Sequence, residues 1–436
     1  MVVDSRLITD ALAISDHWRE RLDVGRLTLD CLVASDLVGS RLDVVAIGKA
    51  SWEMAAALHS VAGEHVARTL IVAEHAGGSE ADFTAEVVVG EHPRPGRGSR
   101  RAGEAVVDFL GVGTAAEATV FLLSGGASSL CVLPAAPVTV ADLGAIFDAA
   151  LVSGVDITTL NQLRAAASEI AGGAVLHSVR SARSASFILV DNVVSGAPWV
   201  ASALTYDYVP SSQELATLLD AAGLAGTPVG GRLLEGFQRR REVMAKPTSS
   251  AHQNVVLAEP SMILDPTLAE AVRRGYRVVN LGASVKGDVR DVCEQWRAVL
   301  WDAATPGDAV AVVGVGEVTV QVRGSGRGGR CQEFAWAMAP ALGGLGRDAA
   351  FLARASDGRD FIDGVAGGWV DDATMSRLAA HSVSWSEVVT AHDTYPALDS
   401  LGQLISGSHT GWNLCDVYVA VMGEALLEGG RGVGAT

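Results

Sequence analysis

Short apolar runs alternate with helix-like segments along the chain, and this alternation restricts the fold more than any other sequence feature. The clearest runs are rich in Val, Leu, Ile and Ala and lie at residues 42–47, 118–123, 185–190, 309–313, 350–355 and 416–422. Continuous apolar runs are typical of strands that are buried on both faces of a parallel sheet. Helical patterns between the runs complete βαβ units. The sequence therefore predicts an α/β protein with mostly parallel sheets flanked by helices.

The length of the chain and a local change in composition predict two domains. The 436 residues exceed what one hydrophobic core usually contains. Around residues 238–253 the alternation stops, and charged residues, Pro247 and two serines take its place. We predict a Rossmann-like N-terminal domain over residues 1–245 and a second α/β domain over residues 246–436.

Charge and cysteine content exclude several classes of protein. The formal net charge is −17, and an acidic surface repels nucleic acids and anionic lipids. The five cysteines are scattered and contain no CxxC spacing, which is typical of reduced thiols. No apolar run reaches about 18 residues, and residues 1–16 do not form a signal peptide. We expect a cytoplasmic protein whose partners are small molecules, with no nucleic acid and no membrane; a homodimer stays an option.

Polar turns follow several predicted strands, where α/β proteins usually bind their ligands. Lys49, one of only three lysines, follows the first run and suits a phosphate, although this motif taken alone slightly favours a solvated turn lysine. Residues 124–129 offer glycine backbone and hydroxyl donors to an anion, or form a plain glycine turn. His92 stands before Pro93 in a stiff turn that could position its ring.

The segment 323–333 contains the densest group of cations and glycines in the chain. Arg323, Arg327 and Arg330 provide guanidinium groups that suit a polyphosphate or a carboxylate. Three glycines of the same segment also match the GxGxxG pattern of dinucleotide-binding proteins, which makes an NAD(P)-dependent hydroxy-acid dehydrogenase an alternative. The arginines within the pattern disfavour it, and so does the late position of the next acidic residue, Asp357.

Two polar segments near the C-terminus could complete a catalytic site. Asp357, Asp360 and Asp363 suit Mg²⁺ or a general base, or else form an Asx-rich turn. His409 precedes the last strand, where it could act as an acid, a base or a hydrogen-bond donor, or be structural.

Taken in order, these segments resemble the glycerate 2-kinase family with its C-terminal MOFRL domain. Each motif is short, but their ordered combination is specific and spans residues 42–421. The motifs are AIGKA at 46–50, EHPRP at 91–95, LSGGAS at 123–128, GEVTV at 316–320, GRGGRCQE at 326–333, SDG at 356–358 and TGWN at 410–413.

The resemblance implies a two-domain enzyme with its active site in the inter-domain cleft. It implies ATP and Mg²⁺ as cofactors and phosphate transfer to the 2-hydroxyl of D-glycerate or a related small hydroxy acid. Lys49 and Arg330 match the lysine and arginine proposed as catalytic in the family; Asp357 would be catalytic and would hold the metal together with Asp360. The substrate- and phosphate-binding residues would be His92, Ser124, Gly125, Gly126, Ser128, Arg164, Asn192, Gly326, Arg327, Gly328, Gly329, Glu333, His409, Thr410 and Asn413.

The sequence departs from the family pattern where the substrate should bind. An Asp-Val-x-Gly-Asp segment followed by Ser-Gly-Pro reads Asn192-Val193-Val194-Ser195-Gly196 and then Ser202-Ala203-Leu204. Ala171 replaces a lysine, Trp412 a threonine, and Cys415 a small polar residue. Three interpretations stay open: a different hydroxy-acid acceptor, a catalytic base elsewhere such as Asp191 or Asp357, or a non-catalytic homologue that binds a nucleotide or an acidic ligand.

Overall fold

The chain divides into two compact units. The computed structural model describes residues 5–77, 82–113, 115–191, 196–248, 250–305, 307–408, 410 and 412–424. The N-terminal unit comprises residues 23–259, and the C-terminal unit comprises the residues up to 22 together with those from 260 onwards. Among the described residues, no helix is long and apolar enough to cross a membrane.

The N-terminal unit contains a six-stranded sheet in which every pairing is parallel. Its strand order is β3-β2-β1-β4-β5-β6. The strands are β1 Leu42–Ile47, β2 Val66–Ala73, β3 Glu86–Val89, β4 Ala118–Leu123, β5 Arg183–Leu189 and β6 Ala251–Ala258. All residues of β1 and β4 are buried, so the continuous apolar runs correspond to central strands, as predicted.

Helices cover this sheet and are numbered along the whole chain, with α1 (Ser5–Asp16) belonging to the C-terminal unit. Those of the N-terminal unit are α2 Val24–Ala34, α3 Ser51–Ala62, α4 Arg97–Gly111, α5 Ala127–Leu130, α6 Val140–Ser153, α7 Ile157–Ala166, α8 Ser212–Ala221 and α9 Pro228–Met244. Side chains cap several of them; Asp23, for example, accepts a hydrogen bond from the Arg26 N–H at the start of α2.

The C-terminal unit contains a mixed sheet, so the prediction of a mostly parallel sheet is wrong for this unit. The strands are β7 Arg277–Asn280, β8 Val285–Asp288, β9 Val310–Thr319, β10 Ala349–Ala355, β11 Val365–Asp371, β12 Leu404–Ser406 and β13 Asp416–Met422. Their order is β12-β11-β10-β13-β9-β7, with β8 also paired to β9. Only β7 and β8 pair with β9 in parallel; the other four pairings are antiparallel.

Connection length explains one of these antiparallel pairings, that of β10 with β11. Parallel neighbours need a crossover of a dozen or more residues, usually a helix, whereas antiparallel neighbours can be joined by a short loop. Only residues 356–364 join β10 to β11. A strand that is buried on both faces gives the same apolar run in either orientation, so the sequence pattern could not separate the two cases.

The boundary between the units differs from the predicted position after residue 245. Strand β6 pairs in parallel with β5 and thereby extends the N-terminal unit to residue 259. Helix α1 packs against β10 and β13 of the C-terminal sheet, while α2 packs against α3 and β6. The chain therefore contributes its first helix to the second unit.

Helices also cover the C-terminal sheet: α1, α10 Ser261–Arg273, α11 Val289–Ala303, α12 Arg330–Gly343, α13 Thr374–Ala380, α14 Trp385–Ala391 and α15 Thr394–Ser400.

Four aromatic rings fix α11 and α12 on the sheet. The ring of Phe334 in α12 lies 4.8 Å from that of Phe351 in β10 and 5.0 Å from that of Tyr418 in β13, edge to face. Trp296 of α11 meets the Phe351 ring at 5.3 Å. This contact fixes the position of α12, whose first residue is Arg330.

We expect Phe334→Ala to lower the free energy of unfolding by about 3–5 kcal/mol, because it removes the ring at the centre of this cluster and leaves a cavity. Phe361→Ala is the control, since Phe361 is 75% exposed and its loss should change stability by less than about 0.5 kcal/mol. Urea denaturation of both variants measures the difference. Equal effects would contradict a central role for the aromatic cluster.

Candidate active site

Two strand-end turns interlock at the carboxyl edge of the N-terminal sheet. Strands β1 and β4 are parallel neighbours, so the turns after them lie side by side. The Lys49 N–H donates to the Gly125 carbonyl at 2.9 Å, and the Ala50 N–H donates to Ser124 Oγ at 3.1 Å. Gly48 has a φ of +130°, and a Cβ at this position would overlap Ser124. The predicted Lys49 turn and the predicted serine-glycine turn therefore form one structure.

The Lys49 side chain and the His92 ring border this turn. Both approach Gly126: Lys49 Cε and His92 Cδ2 each lie 3.4 Å from the position of an added Cβ. Burial lowers the pKa of His92, and the positive charges of Lys49 and Arg164 lower it further, against a smaller opposing effect of Glu74. His92 is thus kept neutral at neutral pH, and Lys49 supplies the charge.

A second cation, Arg164, lines a small cavity next to Ser128. The cavity measures about 20 Å³ and is also lined by Ser168, Ala171 and Ser202, which is room for roughly one water-sized group. The structure records no carboxylate partner for the Arg164 guanidinium among the described residues. Burial lowers its pKa to about 10, so it stays protonated at neutral pH. A half-buried guanidinium without a counter-ion favours an anionic ligand.

A strained segment positions Ser202 at the same cavity. Ala201, Ser202 and Ala203 have φ values of 56°, 53° and 58°, a conformation that costs a non-glycine residue about 1–2 kcal/mol. Ser202 Oγ donates to Ser128 Oγ at 2.8 Å and lies 3.2 Å from Asn161 Oδ1. The departure from the family pattern at residues 202–204 therefore falls on backbone that shapes the cavity, as strained segments at functional sites often do.

Two further residues complete this edge of the sheet. The Asp191 carboxylate, just after β5, lies against Gly125 so closely that a Cβ there would overlap it. Arg240 of α9 is 4% exposed and donates to the carbonyls of Ala171 and Gly172 at 2.7 and 3.0 Å. Sequence reasoning missed Arg240, because one arginine in a charged helix resembles ordinary surface charge.

In the C-terminal unit, two carboxylates hold Arg330 rigidly. Its Nε and Nη2 donate to the two oxygens of Asp416 at 2.6 and 2.9 Å, and Nη1 lies 2.8 Å from Glu317 Oε1. Burial alone would lower the pKa of Arg330, but Asp416 and Glu317 outweigh it and raise this pKa well above its ordinary value. Three of the five N–H groups are engaged, which leaves donors for a phosphate oxygen.

The glycines before Arg330 allow close packing of the backbone. They therefore do not support the interpretation of this segment as a dinucleotide-binding motif. A Cβ on Gly324 or Gly326 would overlap the backbone at residues 391–393, one on Gly328 would overlap Thr394, and one on Gly329 would overlap Asp360. The Arg327 N–H donates to Asp393 Oδ1 at 2.8 Å, and its guanidinium lies 4.7 Å from the centre of the Tyr395 ring. Ten residues separate β9 from α12, so the pattern does not form the tight strand-to-helix turn of a dinucleotide fold.

Asp360 caps the N-terminus of α12. Its Oδ1 accepts from the Cys331 N–H at 3.1 Å, and its Oδ2 accepts from the Gln332 N–H and Nε2 at 2.9 and 3.0 Å. Both oxygens thus satisfy the N-terminus of α12. Among the described residues, no three His, Cys, Asp or Glu side chains are grouped so that they could hold a metal ion.

The other predicted residues lie near the end of β10 or outside the described residues. Asp357 Oδ1 accepts from the Arg359 N–H at 2.9 Å, and its carbonyl accepts from the Thr410 N–H at 3.0 Å. Asn413 Oδ1 accepts from the Cys415 N–H at 3.2 Å. Asn192 and His409 lie outside the described residues. Glu333 lines a separate cavity between helices of the C-terminal unit.

Interlocked glycine turns at strand ends, with cations beside them, are typical of α/β enzymes that bind phosphate groups. Two family models match the chain: the domain of unknown function DUF4147 over residues 9–229, and the MOFRL family over residues 310–416. Together with the glycerate 2-kinases among the relatives, these matches show that the chain belongs to the glycerate 2-kinase family. This confirms the resemblance inferred from the ordered motifs.

Individual relatives align with this chain over nearly their whole length. The D-glycerate 2-kinase of Thermotoga maritima is 26% identical over 88% of this chain and 91% of its own. An Agrobacterium vitis protein, provisionally named a hydroxypyruvate reductase, is 30% identical over 88% of this chain and 87% of its own. The crystal structure of a glycerate kinase from Thermotoga maritima superposes with a TM-score of 0.80 at 24% identity, covering 96% of this chain and 100% of that one. The fold is therefore shared across both units.

The Asp360 cap predicts a pH dependence of stability. Burial raises the pKa of Asp360 from 3.8 to about 6, so the folded protein holds this proton over a pH range in which the unfolded chain has lost it. The free energy of unfolding therefore falls as pH rises through this range. An asparagine side chain cannot ionise, so Asp360→Asn should gain stability relative to the wild type between about pH 4 and pH 6, by up to about 3 kcal/mol, and then level off.

Urea denaturation at several pH values, with and without Mg²⁺, measures this effect. If the stability difference between Asp360→Asn and the wild type does not depend on pH, or if Mg²⁺ changes it, the role of Asp360 as a helix cap is contradicted.

Proposed function

We propose that this protein transfers a phosphoryl group from ATP to the 2-hydroxyl of D-glycerate or a related small hydroxy acid. The observation that carries the proposal is the cationic site at the carboxyl edge of the N-terminal sheet. There Lys49 borders a glycine turn, and Arg164 has no carboxylate partner among the described residues. The names of the relatives, glycerate kinase and D-glycerate 2-kinase, support the same reaction.

Phosphoryl transfer requires positioning and charge neutralisation more than covalent chemistry, and the residues suit these tasks. Lys49 would neutralise charge on the transferred phosphoryl group, with the backbone N–H groups of Gly125 and Gly126 orienting its oxygens. In the C-terminal unit, Arg330 is a cation whose direction Asp416 and Glu317 fix, which suits contact with a phosphate oxygen. Arg164 would bind the carboxylate of the hydroxy acid, because it lines the cavity beside Ser128 and the described residues provide no carboxylate partner for it.

Asp191 suits the role of proton acceptor from the 2-hydroxyl. It follows β5 and lies against Gly125, within the same group of strand ends as Lys49. This placement compensates for Asn192, which replaces a carboxylate of the family pattern and cannot accept a proton. A general base at this position would contribute about 10²–10⁴-fold to the rate.

Mg²⁺ fits the site as an ion held mainly by the nucleotide. Mg²⁺ is usually held by one or two carboxylates together with substrate phosphates and water. Asp357, which follows β10, is the predicted metal residue that suits this task, since Asp360 caps α12. When bound, the ion neutralises charge on the β- and γ-phosphates.

Lys49→Ala should lower kcat/KM by about 10²–10³-fold, because it removes a positive charge beside the phosphoryl group in the transition state. Lys246→Ala is the matched control, as Lys246 is exposed beyond the end of α9. A coupled assay of ADP release with Mg-ATP and D-glycerate, L-glycerate or longer sugar acids measures both variants. If the wild type releases ADP with none of these acids, the proposed function fails.

Asp191→Asn should lower kcat by about 10²–10⁴-fold and leave the KM for the acceptor within a few fold, because the amide keeps the shape but cannot take the proton. The acidic limb of the kcat–pH profile should disappear with it. If the variant keeps wild-type kcat, another group accepts the proton.

The alternative, a homologue that binds ligand without turnover, is motivated by Ala171. This residue lines the Arg164 cavity where the family pattern has a lysine, so the cavity lacks one cation. Tight nucleotide binding together with no ADP release from any acid would favour this alternative.

A further inference from the structure

A cavity of about 350 Å³ lies between helices α11, α12 and α14 of the C-terminal unit. Its volume is within the range of small-molecule sites, and so is its composition of apolar walls with a few polar groups. Val289, Ala337, Ala341 and Val389 form much of the wall, and Trp385 adds an aromatic surface. The residues with proposed catalytic roles do not line it.

The sequence builds this cavity through Pro340 in the middle of α12. Proline has no N–H to donate, so the carbonyl of Trp336, four residues earlier, lacks its usual helical partner. The Trp385 indole N–H donates to this carbonyl at 3.0 Å, and the Trp336 indole N–H donates to the Trp385 carbonyl at 3.3 Å. This reciprocal pair fixes α14 beside α12 with the cavity next to it.

A buried carboxylate and a buried imidazole also line the cavity. Glu333 and His392 are 6% and 7% exposed, and Glu333 Oε2 lies 3.5 Å from His392 Nδ1. That distance is too long for a good hydrogen bond, and among the described residues Nδ1 has no other partner. Glu333 Oε1 accepts from Thr394 Oγ1 at 3.3 Å. The pair can therefore offer an acceptor and a donor side by side to a bound molecule.

Cationic side chains also belong to the wall of the cavity or to the helices around it. Arg330, Glu333, Ala337 and Ala341 share one face of α12, because residues three or four apart are neighbours on a helix. Arg290, at the start of α11, also lines the cavity, and the described residues give its guanidinium no ion pair. The glycine-rich backbone before Arg330 packs on residues 391–393, beside His392. A molecule with a planar body and an anionic end matches this arrangement.

We propose that this cavity binds the adenine base of a nucleotide, whose phosphates extend towards Arg290 at the start of α11. The exocyclic amine of adenine would donate to Glu333, and a ring nitrogen would accept from His392. Trp385 and the aliphatic side chains would pack against the faces of the base. This inference rests on the proposed function, because it assigns the binding site of the phosphoryl donor.

Filling the cavity tests the proposal directly. Ala337→Phe should raise the Kd for ADP by at least about tenfold, since the ring occupies the space of the base. The Kd for inorganic triphosphate should not change. Ala298→Phe is the matched control: it places the same ring on α11, in a separate cavity beside β7, and should leave both constants unchanged. Calorimetric titration of the full chain measures them, and circular dichroism verifies folding.

Selectivity between nucleotide bases distinguishes direct recognition of the base by Glu333 from a purely structural role of this residue. IDP presents a carbonyl where ADP presents the exocyclic amine, so the Glu333 carboxylate should favour ADP by about tenfold or more. Glu333→Gln offers an amide donor to that carbonyl and should reduce the ADP/IDP ratio to near one. A ratio that the substitution leaves unchanged would overturn the proposal even if Ala337→Phe failed to fold.

These outcomes separate the base site from the proposed reaction. Wild-type ADP affinity in Ala337→Phe, with kinase turnover intact, would overturn the base site alone. Loss of ADP binding in Ala337→Phe, in a protein that phosphorylates no hydroxy acid, would support the base site and refute the reaction. A wild type that binds neither ADP nor triphosphate at millimolar concentration would overturn both.

Discussion

The pair between Arg330 and Asp416 is the interaction on which the C-terminal site depends. Asp416 begins β13 and is fully buried, whereas Arg330 begins α12, so the pair joins the helix to the centre of the sheet. Tyr418 Oη adds a hydrogen bond to the same carboxylate at 3.1 Å. Loss of one partner of such a buried pair costs about 3–5 kcal/mol, because it leaves the other charge without compensation. The position of Arg330, and of the glycine-rich segment before it, follows from this contact.

In the N-terminal unit, small residues hold the site in place, as the pair of Arg330 and Asp416 does in the C-terminal unit. Gly48 and Gly125 permit contacts with Ser124 and Asp191 that no larger residue would allow. The Lys49 turn therefore cannot move independently of the turn after β4. Because the two turns hold each other, the backbone donors keep their relative positions without a bound ligand, which is what preorganised charge stabilisation requires.

The sequence predicted the parts of the fold and the site that depend on local pattern. Continuous apolar runs identified β1, β4, β10 and β13, and the glycine turns after β1 and β4 identified the Lys49 site. Strand direction in the second sheet was not predictable, since a strand that is buried on both faces shows the same run in either direction. Asp360 illustrates a further limit: one carboxylate after a strand suits a metal ion or a helix cap, and only the position of α12 distinguishes the two.

Arg164 and Arg330 differ in how their charge is balanced, and this difference assigns them different tasks. Asp416 and Glu317 neutralise Arg330, so it contributes direction more than net attraction. The described residues provide no such carboxylate for Arg164, and in a chain of net charge −17 this half-buried cation is a local exception. An anion that binds Arg164 supplies the missing counter-charge and gains a charge-assisted hydrogen bond. On the proposed function, we therefore expect the N-terminal unit to select the acidic substrate, whereas the fixed Arg330 suits a group whose charge changes during the reaction.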